Sequence, residues 1–284
     1  MAKKKKEQGD YPDALEPVEV NDYGNVSPIE PLGDAEQGES SRPMYHKLGS
    51  DIICGTDERG FATPMNRSPL DLVLDASEGF IPLWEPNRVL KWQFNENSMR
   101  YFRYPVLAKR YIKQLFAEAI NAWGDSAPIR FTQDSSGWDF EIHMSSADNC
   151  TANGCTLAAA FFPDGGRHRL RLYPKMFQQS RKEQVDTFIH EIGHIFGLRH
   201  FFANVSETAW PSVIFGEHKA FSIMNYGILS ELTAQDKSDL KALYSAVWNG
   251  SINKINETPI VLFKPYHYAI SWWWPSLITQ GTVA

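Results

Sequence analysis

One run of eleven residues limits what this chain can fold into more than any other: His190-Glu191-Ile192-Gly193-His194-Ile195-Phe196-Gly197-Leu198-Arg199-His200. On a helix, residues four apart differ by ~40° in azimuth, so His190 and His194 project together and can share one cation. Glu191 follows directly, close enough to act on a metal-activated water without being a ligand. Gly197 can take a positive φ and turn the chain, which lets His200 return as a third imidazole. Three neutral nitrogens with an open fourth position describe a catalytic zinc site, because a structural site closes all four positions with protein ligands. The five fixed letters of the string would arise by chance roughly 0.00003 times in a chain of this length.

The surrounding pattern supports a helix there. Ser180-Arg181-Lys182-Glu183 has the form of a capping box, and Val185, Phe188, Ile189, Ile192 and Phe196 recur at helical spacing until Gly197. An earlier helix is expected from Val106 to Trp123, with Ile112, Leu115, Phe116, Ala119 and Ile120 on its apolar face and Gly124 at its end. Short alternating runs mark strands: Leu90, Trp92 and Phe94; Ile129 and Phe131; Phe140, Ile142 and Met144; then 157–162 and 170–172. A third helix is capped by Thr233 with Asp236 and buries Leu240, Leu243, Tyr244 and Val247. With 43% hydrophobic and 13% aromatic residues among 284, a sizeable core is affordable and wholesale disorder is excluded. A net charge of -6 argues against a phosphate-tracking nucleic-acid binder, and no apolar run is long enough for a membrane span.

Two dozen residues beyond the third histidine stands Ser222-Ile223-Met224-Asn225-Tyr226-Gly227. Together with the long histidine motif, this string resembles the metzincin clan of zinc endopeptidases, whose zinc helix is followed by a methionine-containing turn beneath the metal. The resemblance covers about residues 79–247. It implies an α+β catalytic domain: a twisted mixed sheet, a long zinc-binding helix, a Met-turn and a C-terminal helix. Carried over position by position, it makes His190, His194 and His200 the zinc ligands, Glu191 the general base and Met224 the methionine under the metal. Tyr226 matches a tyrosine that astacin-like and serralysin-like members keep near the metal, either as a resting ligand or for oxyanion stabilisation; the other reading is a packed aromatic. Trp92, Asn121-Ala122-Trp123 and the 157–163 segment look matrixin-like, the last resembling the edge strand that docks an extended substrate. Phe201 and Tyr226 depart from that family, so a matrixin-related outlier is expected.

What the resemblance implies is a zinc-dependent endopeptidase acting on proteins or peptides, with Glu191 taking the proton of the attacking water. Two alternatives stay open: a zinc-containing binding module without turnover, and a restricted protease that processes one partner or itself. Calcium has only the isolated loop carboxylates Asp148 and Asp164 to recommend it, and such groups are usually just solvated. Cys150 and Cys155 are near enough in sequence to bridge across a Gly-containing turn, or to stay reduced, depending on compartment. Cys54, in Ile53-Cys54-Gly55, resembles the cysteine switch of matrixin propeptides; an ordinary buried cysteine and an aspartate switch through Asp51 or Asp57 are its rivals.

The flanks differ from the middle. Residues 7–41 hold ten carboxylates and no Lys or Arg, so 1–50 reads as a disordered acidic tail and 51–78 as a segment that could act in latency. The start MAKKKKEQGD has no apolar stretch, so the expected compartment is cytoplasmic or one reached by leaderless export. The segment 248–284 reads as a C-terminal extension. Within it 258–263 could add a strand, and Trp272, Trp273 and Trp274 either form a contact patch or fold back on the domain. Oligomeric state and cleavage preference leave no readable signal.

Overall fold

The computed structural model describes residues 72–75, 79–151, 154–200, 212–215, 223–224, 230–255 and 257–270. Its strands are β1 (Leu72–Asp75), β2 (Ile81–Trp84), β3 (Val89–Phe94), β4 (Arg130–Gln133), β5 (Phe140–Met144), β6 (Asn149–Thr151), β7 (Gly154–Thr156), β8 (Ala158–Ala159), β9 (His168–Leu172), β10 (Ser212–Phe215), β11 (Lys254–Ile255) and β12 (Thr258–Phe263). Its helices are α1 (Glu96–Met99), α2 (Pro105–Trp123), α3 (Arg181–Ile195), α4 (Ala234–Trp248) and α5 (Tyr266–Ile270).

The main sheet has five strands in the order β4-β3-β5-β9-β8. The first four are mutually parallel, and β8 closes the edge antiparallel to β9. Alternation along β3 turns Leu90, Trp92 and Phe94 inward, where they meet Phe140, Ile142 and Met144 of β5. Phe116 of α2 sits at the centre of this core. Its ring meets Trp92, Phe131, Phe140 and Phe188 edge-on at centroid distances of 5.3, 5.5, 6.2 and 5.7 Å. Edge-to-face pairs place a positive ring rim against a negative face and add to the apolar burial. Helix α2 opens with Pro105 at its first turn and ends at Gly124, whose φ is +58°.

Strand 157–162 of the sequence reading is shorter than expected: only Ala158 and Ala159 pair, because the chain then turns out of the sheet toward Pro163. The apolar stripe assigned to α3 was also too narrow. Nearly every residue from Glu183 to Ile195 is buried, and Val185 alone is half-buried. The polar side of this helix faces a lined interior, so polarity there does not mark a solvent face. Helix α4 carries a complete capping box, in which Thr233 Oγ1 accepts from Asp236 N at 3.1 Å and Asp236 Oδ2 accepts from Thr233 N at 2.8 Å.

The C-terminal segment is integral to the fold. β12 lies parallel to β2, with Ile260 opposite Ile81 and Phe263 opposite Trp84, and β11 extends that sheet to three strands. A separate ladder pairs β1 antiparallel to β10. No helix among the described residues is long and apolar enough to cross a membrane.

Candidate metal centre

Helix α3 is held at both ends by its own sequence. Ser180 Oγ accepts from Glu183 N at the start. At the end the chain makes a Schellman turn: Leu198 N donates to Gly193 O at 3.0 Å and Gly197 N to His194 O at 2.8 Å. Gly197 sits at φ +90°, and a β-carbon there would approach the Pro82 carbonyl oxygen at 3.0 Å. Glycine is required on both counts. This turn returns His200 to the face that already carries His190 and His194.

The three imidazoles converge. His190 Nε2 lies 2.9 Å from His200 Nε2 and 3.1 Å from His194 Nε2. All three rings are buried, and their ligand atoms lie within 4.8 Å of one another. Backbone carbonyls set the tautomers. His190 Nδ1 donates to Ile223 O at 2.9 Å and His194 Nδ1 to Leu198 O at 2.7 Å, since a carbonyl can only accept. The His190 and His194 rings therefore direct their Nε2 lone pairs at one another and toward His200 Nε2. Lone pairs facing one another at this range repel in a buried site unless a cation lies among them. A tetrahedral zinc with bonds of ~2.0–2.1 Å separates its nitrogen ligands by roughly 3.3 Å, close to what these atoms show. The donor set fits zinc.

Around the triad, Glu191 is buried beside His190 at 2% exposure. Phe162 presents its ring to His194 at 5.5 Å. Ile223, whose carbonyl orients His190, precedes Met224, which is 3% exposed. The Met224 thioether lies against the bare Cα of Gly193, where a β-carbon would come within 2.5 Å of Sδ. The methionine thus sits under the histidine helix, touching the turn between the first two histidines.

The remaining sequence candidates fall elsewhere. Cys150 and Cys155 are joined by a disulfide across the β6–β7 hairpin, with their Cα atoms 4.0 Å apart. Asp148 Oδ1 accepts from Lys175 N at 2.6 Å, a contact between distant segments, and Asp164 Oδ1 accepts from Gly166 N at 2.7 Å within its own turn. Tyr226, Cys54, Phe201 and Trp272 to Trp274 lie outside the described residues. Sequence reasoning missed the groups that orient the triad. The carbonyls of Ile223 and Leu198 carry no side-chain signal; of Trp84 and Tyr244, which bond the end of α3, only Tyr244 is singled out by the sequence, as a buried position of the third helix.

A mixed, mostly parallel sheet backed by two helices, with three histidines on and after the second and a methionine beneath them, defines a metzincin-type zinc metalloprotease fold. The chain belongs to the matrixin family, whose model matches residues 83–244. Macrophage metalloelastase of Rattus norvegicus is 27% identical over 183 residues, which takes in 60% of this chain and 37% of that protein. Stromelysin-3 of Homo sapiens is 29% identical over 172 residues, 56% of this chain and 32% of that one. The chain therefore matches about a third of the length of these relatives. Among solved structures, myroilysin shares 16% identity at a TM-score of 0.43, covering 61% of this chain and 98% of its own.

Proposed function

We propose that this chain is a zinc-dependent endopeptidase that hydrolyses peptide bonds in an extended protein or peptide substrate. The observation that carries the reading is the convergence of three Nε2 atoms, those of His190 and His194 with their tautomers fixed by backbone carbonyls, on a helix whose next residue, Glu191, is buried. His190, His194 and His200 would hold the ion. When bound, zinc supplies Lewis acidity, which lowers the pKa of a water toward about 7 and polarises a carbonyl.

The protein's own groups do the rest. Glu191, fixed on α3 next to a ligand, is the base that accepts the proton of the attacking water and passes it to the departing amine. β8 is one edge of the main sheet among the described residues, so the outward backbone groups of Ala158 and Ala159 can pair with an extended peptide. Tyr226 belongs to the same proposal as the phenol that steadies the oxyanion. The test is metal analysis of the purified chain joined to cleavage-site profiling of a peptide library by mass spectrometry. Bound zinc with new internal termini is expected; bound zinc with no cleavage at any site would leave a binding module and overturn the peptidase reading.

A further inference from the structure

The matrixin match ends at residue 244, yet hydrogen bonds from Tyr244 and from Trp84, at the start of the match, converge on one point: the carbonyl end of the zinc-site helix. Trp84 Nε1 donates to Ile195 O at 2.7 Å, and Tyr244 Oη donates to Phe196 O at 3.1 Å. The same phenol oxygen accepts from Trp84 N at 3.3 Å. Trp248, a turn further along α4, donates from Nε1 to Trp84 O at 2.9 Å and packs on Tyr244 at 5.1 Å between ring centroids. Trp84 and Tyr244 are buried. Burial pushes the Tyr244 phenol far above its ordinary value, so it stays protonated and donates.

The Tyr244 bond falls on a peptide plane that needs a restraint, and the Trp84 bond on the plane just before it. Phe196 O belongs to the peptide that enters Gly197, and a glycine at φ +90° has no β-carbon to oppose rotation into other regions. If that plane rotates, Leu198 and His200 move with it. Leu198 O is also the acceptor that sets the His194 tautomer. We propose that Trp84 and Tyr244 are positioning residues for the metal centre, fixing the consecutive Ile195–Phe196 and Phe196–Gly197 peptides so that His200 and the Leu198 carbonyl stand where the ion requires them. The inference rests on the metal-site reading above.

The experiment uses the full chain with cobalt(II) in place of zinc, comparing wild type with Tyr244→Phe and Trp84→Phe. The readouts are the visible absorption of cobalt, the rate of metal transfer to dipicolinate, and kcat and KM on a cleaved peptide. Groups that orient ligands typically govern affinity by 10–100-fold, so Tyr244→Phe should release metal about tenfold faster or more, shift the cobalt bands and lower kcat with KM held. Leu240→Ala is the control for a purely structural loss. It empties a fully buried position of α4 a turn from Tyr244 but removes no hydrogen bond, and should lower Tm while leaving cobalt bands and metal transfer as in wild type. Should Trp84→Phe not fold, Trp248→Phe removes the donor behind Trp84 and should show a smaller acceleration. Wild-type bands and metal transfer in Tyr244→Phe, at whatever Tm, would overturn the proposal. A wild-type chain that takes up no cobalt would instead bring down the metal-site reading, and this inference with it.

Discussion

At position 193 a hydrogen stands where most helix interiors carry at least a methyl group, and the cost of that choice shows what the site demands. Glycine inside a helix loses roughly 0.5–1 kcal/mol relative to alanine. Alanine at this place would bring its β-carbon to 2.5 Å from Met224 Sδ and 3.5 Å from the Trp123 ring. Met224 is itself 3% exposed and has little room to swing aside. Overpacking of this kind costs about 1–3 kcal/mol, more than the gain in propensity. Gly193→Ala is therefore expected to lose about 1 kcal/mol or more in urea denaturation and to hold zinc less tightly, since displaced Met224 drags the neighbouring Ile223 carbonyl away from His190. Unchanged stability and zinc affinity would show that the methionine does not brace the helix. The residues of this scale were the most legible in sequence, because the ligand spacing of His190, His194 and His200 is a direct reading of helix geometry. The carbonyls that select their tautomers were not, since every residue type has one.

Elements were readable where a local period decides them. The helix 106–123 and the alternation in β3 and β5 are set by a one-sided environment, so the sequence period and the burial period coincide. α3 defeated that logic, because a helix buried all round, with its histidines and Glu191 on an interior face, has no solvent stripe to read. β8 was overestimated for a related reason: the apolar run through Phe162 reflects burial of Phe161 and contact of Phe162 with His194, not continued pairing. Just before it, the β6–β7 hairpin is closed by Cys150 and Cys155, five residues apart, and leads through Leu157 directly into β8. A loop this short loses about 2 kcal/mol of chain entropy on cross-linking. Replacing both cysteines by serine should lower stability by up to about that amount and speed amide exchange at Ala158 and Ala159. Substrate docking on β8 then predicts a raised KM with kcat little changed. A variant with faster exchange there but wild-type KM would separate the edge strand from substrate binding.

At the scale of the whole molecule, the described part of the 248–284 segment pairs with β2. Parallel pairing of 81–84 with 260–263 joins segments far apart in the chain, and nothing local in either announces a partner. α5 adds a second anchor: His267 donates from its backbone N and from Nδ1 to the carboxylate of Asp139, each at 2.8 Å, and Asp139 is 1% exposed. Asp139 also receives Lys91 N at 2.7 Å, tying the C-terminal segment to two strands of the main sheet. Arg167 is held between Trp138 and Tyr266 at 4.3 and 4.7 Å to the ring centroids, a further contact of the same region. His267→Ala removes one hydrogen bond to a buried carboxylate and should cost about 1.5–3 kcal/mol, read as a lower urea midpoint. A midpoint equal to wild type would mean that the backbone bonds alone secure the segment.

In the proposed peptidase, Glu191 is the proton acceptor of a metal-dependent hydrolysis and not a buried structural carboxylate. The most direct measurement pairs zinc content with peptide cleavage for the wild-type chain and Glu191→Ala. The expected result is zinc retained in both, with cleavage reduced by roughly 10²–10⁴-fold in the variant. Cleavage by Glu191→Ala at the wild-type rate, with zinc bound, would contradict the central claim.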